Sequence, residues 1–71
     1  MTTTEAIGIR LRHYRQLAGM SQVEMGRRLN VTNVHVCNFE RGQNGMSIPI
    51  FVKACRVLRL KPSAVLSEIG Q

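Results

Sequence analysis

The chain reads as an all-α, compact five-helix domain, and three observations carry that reading. Apolar residues recur at helical spacing, as in Ile7, Leu11, Tyr14 and Ala18, which marks a helix with one buried face. No stretch alternates apolar and polar residues for long enough to make a sheet. Helix-stop and helix-start residues then cut the chain into short segments: Gly19 before Ser21, Asn30 before Thr32, Gly42 before Ser47. At 71 residues, positions 1–71 form one domain, near the lower limit at which a chain buries enough apolar surface to fold alone.

Each element has its own signal. Met1 to Thr4 read as a flexible tail, with Thr4 as the first cap. A helix starts at Glu5, and Gly19 ends it in the left-handed position. Ser21 opens the second helix, where Glu24, three residues on, gives the S-x-x-E pattern of a capping box. That helix runs through Leu29, burying Met25 and Leu29 and turning Arg27 and Arg28 to solvent. Asn30 tolerates the positive φ of a sharp turn, which β-branched Val31 does not. Thr32 caps a third helix, about Asn33 to Arg41, with Val36 and Phe39 inward; Gly42 stops it and "GQNGMS" is a loop. Ser47 caps a fourth helix with Pro49 in its first turn, where proline is tolerated. Its inward face is Ile48, Phe51 or Val52, Cys55 and Leu58. "LKPSAVLSEI" supplies a turn and a short fifth helix carrying Val65, Leu66 and Ile69.

Composition limits what such a domain does. No apolar run approaches the ~20 residues of a membrane-spanning helix, and "MTTTEA" lacks the basic cluster and apolar core of a secretory leader. The expected location is therefore cytoplasmic or, in a eukaryote, nuclear. Cys37 and Cys55 form no C-x-x-C pair and read as free thiols. Ten Lys+Arg against four Asp+Glu give a net charge of +6 and a pI near 10.8. Eight of the ten cations are arginine, whose planar fork of donors suits phosphates and base edges. Such a charge favours a polyanionic partner, nucleic acid first, although membrane-surface and acidic-protein binders share it.

Catalytic and metal-binding readings find little support. His35 and Cys37 stand two apart on a helix and point to different sides, so they share neither a metal nor a proton. There is no third ligand at zinc spacing, no Ser/His/Asp set and no Gly-rich phosphate loop. The sequence predicts no enzyme, no metal, no cofactor and no small-molecule ligand.

Two short helices joined by a tight turn on a basic all-helical domain match the arrangement in which a second helix enters the DNA major groove. The order of motifs is I-G-x-R-L-R-x-x-R, G-M-S-Q-x-E-M, N-V-T and V-x-x-F-E-R-G, followed by "VKACRVLRLKPSAVL". In that order and spacing the chain resembles the phage Cro and repressor family, the lambda-repressor-like or xenobiotic-response-element regulators, from Ile7 to about Leu66. Three positions depart from the family pattern: Gly26 where alanine is favoured, Asn30 where glycine is preferred, and Met46 where a proline often precedes the fourth helix.

With Val36 and Phe39 inward, helical geometry sends Asn33, Val34, Cys37, Asn38 and Arg41 outward. The resemblance implies a helix-turn-helix at about 21–41 with base contacts from Thr32, Asn33, Val34, Cys37 and Asn38. A carboxamide pairs bidentately with the N6 and N7 edge of adenine, and valine packs on a thymine methyl; ordinary solvated side chains are the alternative. For the phosphates the candidates are Ser21 and Gln22 at one helix start, His35, and Arg41 with Gln43, Asn44 and the Gly45 amide. The resemblance also implies a structural ion pair between Arg15 and Glu40, so Glu40 is not read as a catalytic acid.

The expected function is that of a transcriptional regulator, of the repressor or autoregulatory controller kind, on a pseudo-palindromic operator. One recognition helix covers few base pairs, so a homodimer on two half-sites is expected, with Phe51, Val65, Leu66 and Ile69 as its guessed interface. Without a further sensing domain it would be governed by its own concentration. The rival is an antitoxin or adaptor with a protein partner; it predicts large apolar or aromatic anchors on the third helix, where this chain has Asn, Asn and Thr beside Arg.

Overall fold

The computed structural model describes residues 2–43 and 46–69, and over them the chain forms five helices: α1 (Thr3–Leu17), α2 (Gln22–Leu29), α3 (Asn33–Glu40), α4 (Ile48–Val57) and α5 (Pro62–Ile69). The first begins earlier than expected. Thr2, not Thr4, is its cap: the Thr2 hydroxyl accepts from the Glu5 amide at 3.1 Å, and the Glu5 carboxylate accepts from the Thr2 amide at 2.9 Å. This reciprocal box satisfies two helix-end donors at once, and holds the Glu5 carboxyl below the usual carboxylate range. Residues 2–4 are accordingly structured; residue 1 lies outside the described residues.

At α2 the predicted box is half present. Ser21 accepts from the Glu24 amide at 3.0 Å, but the Glu24 carboxylate turns to Arg27 and Arg28 at 2.8 and 2.9 Å. Two arginines within the next turn compete successfully for that carboxylate.

The core gathers one or two side chains from each helix: Leu11, Met25, Leu29, Val36, Phe39, Ala54, Cys55 and Val65. α3 sits centrally against α1 and α2, while α5 packs on α1 and α4. Two expectations are corrected, one at the start of α4 and one at the end of α1. Ile48 is 77% exposed, not inward, because it stands at the very start of α4, before the helix turns its Ala54–Cys55 face to the core. Ala18, at the end of α1, is also exposed.

Two glycines set how closely helices approach. A Cβ on Gly26 would come within 2.8 Å of the Val31 carbonyl oxygen and 3.2 Å of the Asn33 amide. The departure from alanine thus lets the start of α3 tuck against α2. A Cβ on Gly8 would collide with the carbonyls of Phe39 and Glu40, so α1 meets the end of α3 backbone to side-chain-free backbone.

Candidate nucleic-acid interface

The α2–turn–α3 unit is fixed by local hydrogen bonds. Asn30 takes the left-handed conformation (φ 60°, ψ 43°), and the Val31 amide returns to the Gly26 carbonyl at 2.8 Å. Thr32 then caps α3, its hydroxyl accepting from the His35 amide at 3.0 Å. A three-residue connection, Asn30 to Thr32, therefore joins the two helices through local hydrogen bonds and gives α3 a set outer face.

On that face Thr32, Asn33 and Val34 are exposed, Val34 to 61%, and Arg41 is exposed at the far end. Cys37 and Asn38 are half-buried, placed along the border of the face rather than at its crest. His35 is also half-buried, its ring edge-on to Phe39 with centroids 5.9 Å apart. Ser21 and Gln43 are exposed. Asn44 and Gly45 lie outside the described residues.

Beneath this surface a buried ion pair ties α1 to α3. Arg15 Nε stands 2.6 Å from Glu40 Oε2 and Arg15 Nη2 3.1 Å from Oε1, with the side chains 8% and 1% exposed. The remaining Arg15 Nη1 donates to the Met20 carbonyl at 2.7 Å, so the charge is paired and hydrogen-bonded in the way a buried ion pair requires. Gln22, at the first position of α2, joins it: its Nε2 donates to Glu40 Oε1 at 3.1 Å. Sequence reasoning had no sign of this bond, since residues 22 and 40 meet only through the tertiary packing of α2 against α3.

Several arginines are engaged in ion pairs on the surface. Arg27 and Arg28 share Glu24, whose carboxyl is lowered by the bond from Arg28, and Arg10 lies 3.9 Å from Glu68. Among the described residues no three His, Cys, Asp or Glu gather into a metal-holding group, and no described helix is long and apolar enough to cross a membrane. Cys55 is fully buried, and burial pushes its thiol pKa up.

The guessed dimer surface needs one correction. Val65 is 1% exposed and belongs to the monomer's core, because α5 turns it between α1 and α4. Leu66 is 45% exposed, and Phe51 and Ile69 are half-buried. Phe51 and Leu66, with Ile7, Met46, Ile48 and Val52, wall an apolar groove of about 370 Å³ between α1, α4 and α5.

The geometry of the capped turn coincides with a family match. A family model described as a helix-turn-helix domain matches residues 6–67. The chain belongs to that helix-turn-helix family. Among solved structures, the clp gene regulator ClgR from Corynebacterium glutamicum superposes with a TM-score of 0.91 at 26% identity, covering 96% of this chain and 72% of that one. A second structure of the same regulator gives 0.89 at 26%, covering 96% and 88%. The restriction-modification controller protein C.AhdI from Aeromonas hydrophila gives 0.81 at 27% identity, over 87% of this chain and 94% of that one. No curated protein sequence matches. Both relatives are regulators by description.

Proposed function

We infer that this protein is a sequence-specific double-stranded-DNA-binding transcriptional regulator that inserts α3 into the major groove. The observation that carries the reading is the outer edge of α3: exposed Thr32, Asn33 and Val34, with Asn38 at the border, on a helix whose entry is fixed by a left-handed Asn30 and a Thr32 cap. Carboxamides, a hydroxyl and a small apolar group are the inventory that base edges require. The net charge of +6 supports attraction to the phosphates. Membership of the helix-turn-helix family and likeness to a clp gene regulator and a restriction-modification controller support the same function.

In this reading Asn33, Val34 and Asn38 read bases, with Thr32 and Cys37 at the same edges. Ser21, Gln22, His35, Arg41, Gln43 and Asn44 meet phosphates, which position the helix without carrying sequence information. A second copy supplies the other half-site, about 34 Å away; the domain's longest extent of 31 Å lets two copies sit side by side at that spacing. Phe51, Leu66 and Ile69 are the apolar side chains offered to the partner. No enzymatic activity is assigned, and the location is cytoplasmic.

The test is binding to a labelled duplex from upstream of the protein's own gene, against a scrambled duplex, at two salt concentrations. The reading expects a preference of roughly a thousandfold that persists as salt rises. Equal, weak binding with the same steep salt dependence would leave only non-specific attraction at that site.

A further inference from the structure

We propose that Glu40 is a positioning residue for DNA contact as well as half of a structural ion pair, and that it acts through Gln22. This rests on the reading of the α2 start as a phosphate-facing edge. The Glu40 carboxylate is 1% exposed, and Oε1 accepts from both Arg15 and Gln22 at 3.1 Å. Gln22 is half-buried at the first position of α2, where backbone N–H groups have no intrahelical acceptor. A carboxamide nitrogen carries two protons; one is spent on Glu40, which leaves the other for an anion beside the helix start.

A long side chain at a helix start ordinarily samples several rotamers, and freezing it on a phosphate costs entropy at the moment of binding. Here the acceptor that freezes it belongs to the folded core. Arg15 is what makes this workable: the guanidinium neutralises Glu40, so the carboxylate orients Gln22 without repelling the phosphate that Gln22 serves. The chain α1–Arg15–Glu40–Gln22 thus links the packing of α1 on α3 to the DNA-facing start of α2.

The test separates this role from a structural one. Replacing the whole pair, as Arg15→Met with Glu40→Met, removes the acceptor without leaving a buried charge unpaired, a change that proteins commonly tolerate. Gln22→Met removes the amide at a position outside the core. Binding is read on a 20-base-pair random-sequence duplex, because phosphate contact does not depend on sequence. Gln22→Met is expected to weaken binding about fivefold to tenfold and to lower the salt slope by about one phosphate. The paired Met variant is expected to show the same loss, and the triple variant no further loss.

Independent losses that multiply in the triple variant would overturn the proposal while leaving DNA binding intact. Failure of the unsubstituted protein to bind the duplex at all would overturn the DNA reading and this one with it. Should the paired Met variant fail to fold, the Gln22 side-chain amide in the free protein decides, by nitrogen-15 NMR. A fixed amide gives two well-separated proton signals with slowed exchange; signals at free-glutamine positions would contradict the proposal.

Discussion

Gly8 on α1 lies against the backbone carbonyl of Glu40 at the end of α3, close enough that a Cβ would stand 2.7 Å from that oxygen. Backbone cannot yield as a side-chain tip can, so Gly8→Ala forces α1 and α3 apart. Better helix propensity returns up to ~1 kcal/mol, and overpacking against two carbonyls costs about 3 kcal/mol. Thermal unfolding should show a net loss of about 2 kcal/mol, a fall of roughly 10 °C in Tm. An unchanged Tm would mean that the two helices have room to spare.

The buried pair makes an asymmetric prediction. Arg15→Met alone leaves Glu40 buried beside Gln22 without its countercharge, and should cost about 3–5 kcal/mol in urea unfolding. Adding Glu40→Met to that variant should restore most of the loss, because no charge is then left unpaired. Equal destabilisation by the single and double changes would contradict the account of the pair.

Asn30 and Arg59 both hold positive φ, 60° and 59°. Asparagine visits this region with a local hydrogen bond to offset it, whereas arginine bears the full side-chain clash of ~1–2 kcal/mol. Arg59→Gly should therefore raise the unfolding midpoint, by up to ~1 kcal/mol after the entropy that glycine adds to the unfolded chain. Asn30→Gly should change stability little, and Asn30→Val should lower it.

Tyr14 donates to Glu68 Oε1 at 2.5 Å and ties α1 to α5. That bond to a carboxylate is the chief reason its phenol titrates above the ordinary value of 10.0. A raised folded pKa means that the stabilisation is complete below the unfolded value and is lost as pH rises through the folded one. The chain has one tyrosine, so phenolate absorbance reports Tyr14 alone. Its titration should lie above 10 in the folded protein and move down in Glu68→Gln; an unmoved curve would show that the carboxylate does not hold the proton.

The sequence reading and the structure agree where short-range chemistry decides. Ser21, Thr32 and Ser47 each accept from the amide three residues on, and Asn30, Gly19 and Gly42 take the left-handed turns. Differences arise where local signals compete or where distant residues meet. Thr2 and Thr4 are equivalent as letters, and only the Glu5 carboxylate reaching back to Thr2 selects the former. Glu24 had a cap and two arginines within reach, and the arginines won. Arg59 carries no turn signal, yet it takes the left-handed position just past α4, where the Leu60 amide returns to the Cys55 carbonyl at 2.7 Å. Val65 and Leu66 are adjacent apolar residues on an apolar helix, so which one enters the core depends on how α5 docks. The Gln22–Glu40 bond spans the α2–α3 packing and has no sequence signature.

The most direct test of the account is selection of bound duplexes from a random-sequence pool, with the unsubstituted protein and with Asn33→Ala. The account predicts that the unsubstituted protein enriches a pseudo-palindrome with half-sites about one helical turn apart. Asn33→Ala should lose preference at one position in each half-site, at a cost of about 1–3 kcal/mol for the favoured base. A pool that stays random for both proteins, or an enriched site that is identical for both, would contradict base reading by Asn33 on α3.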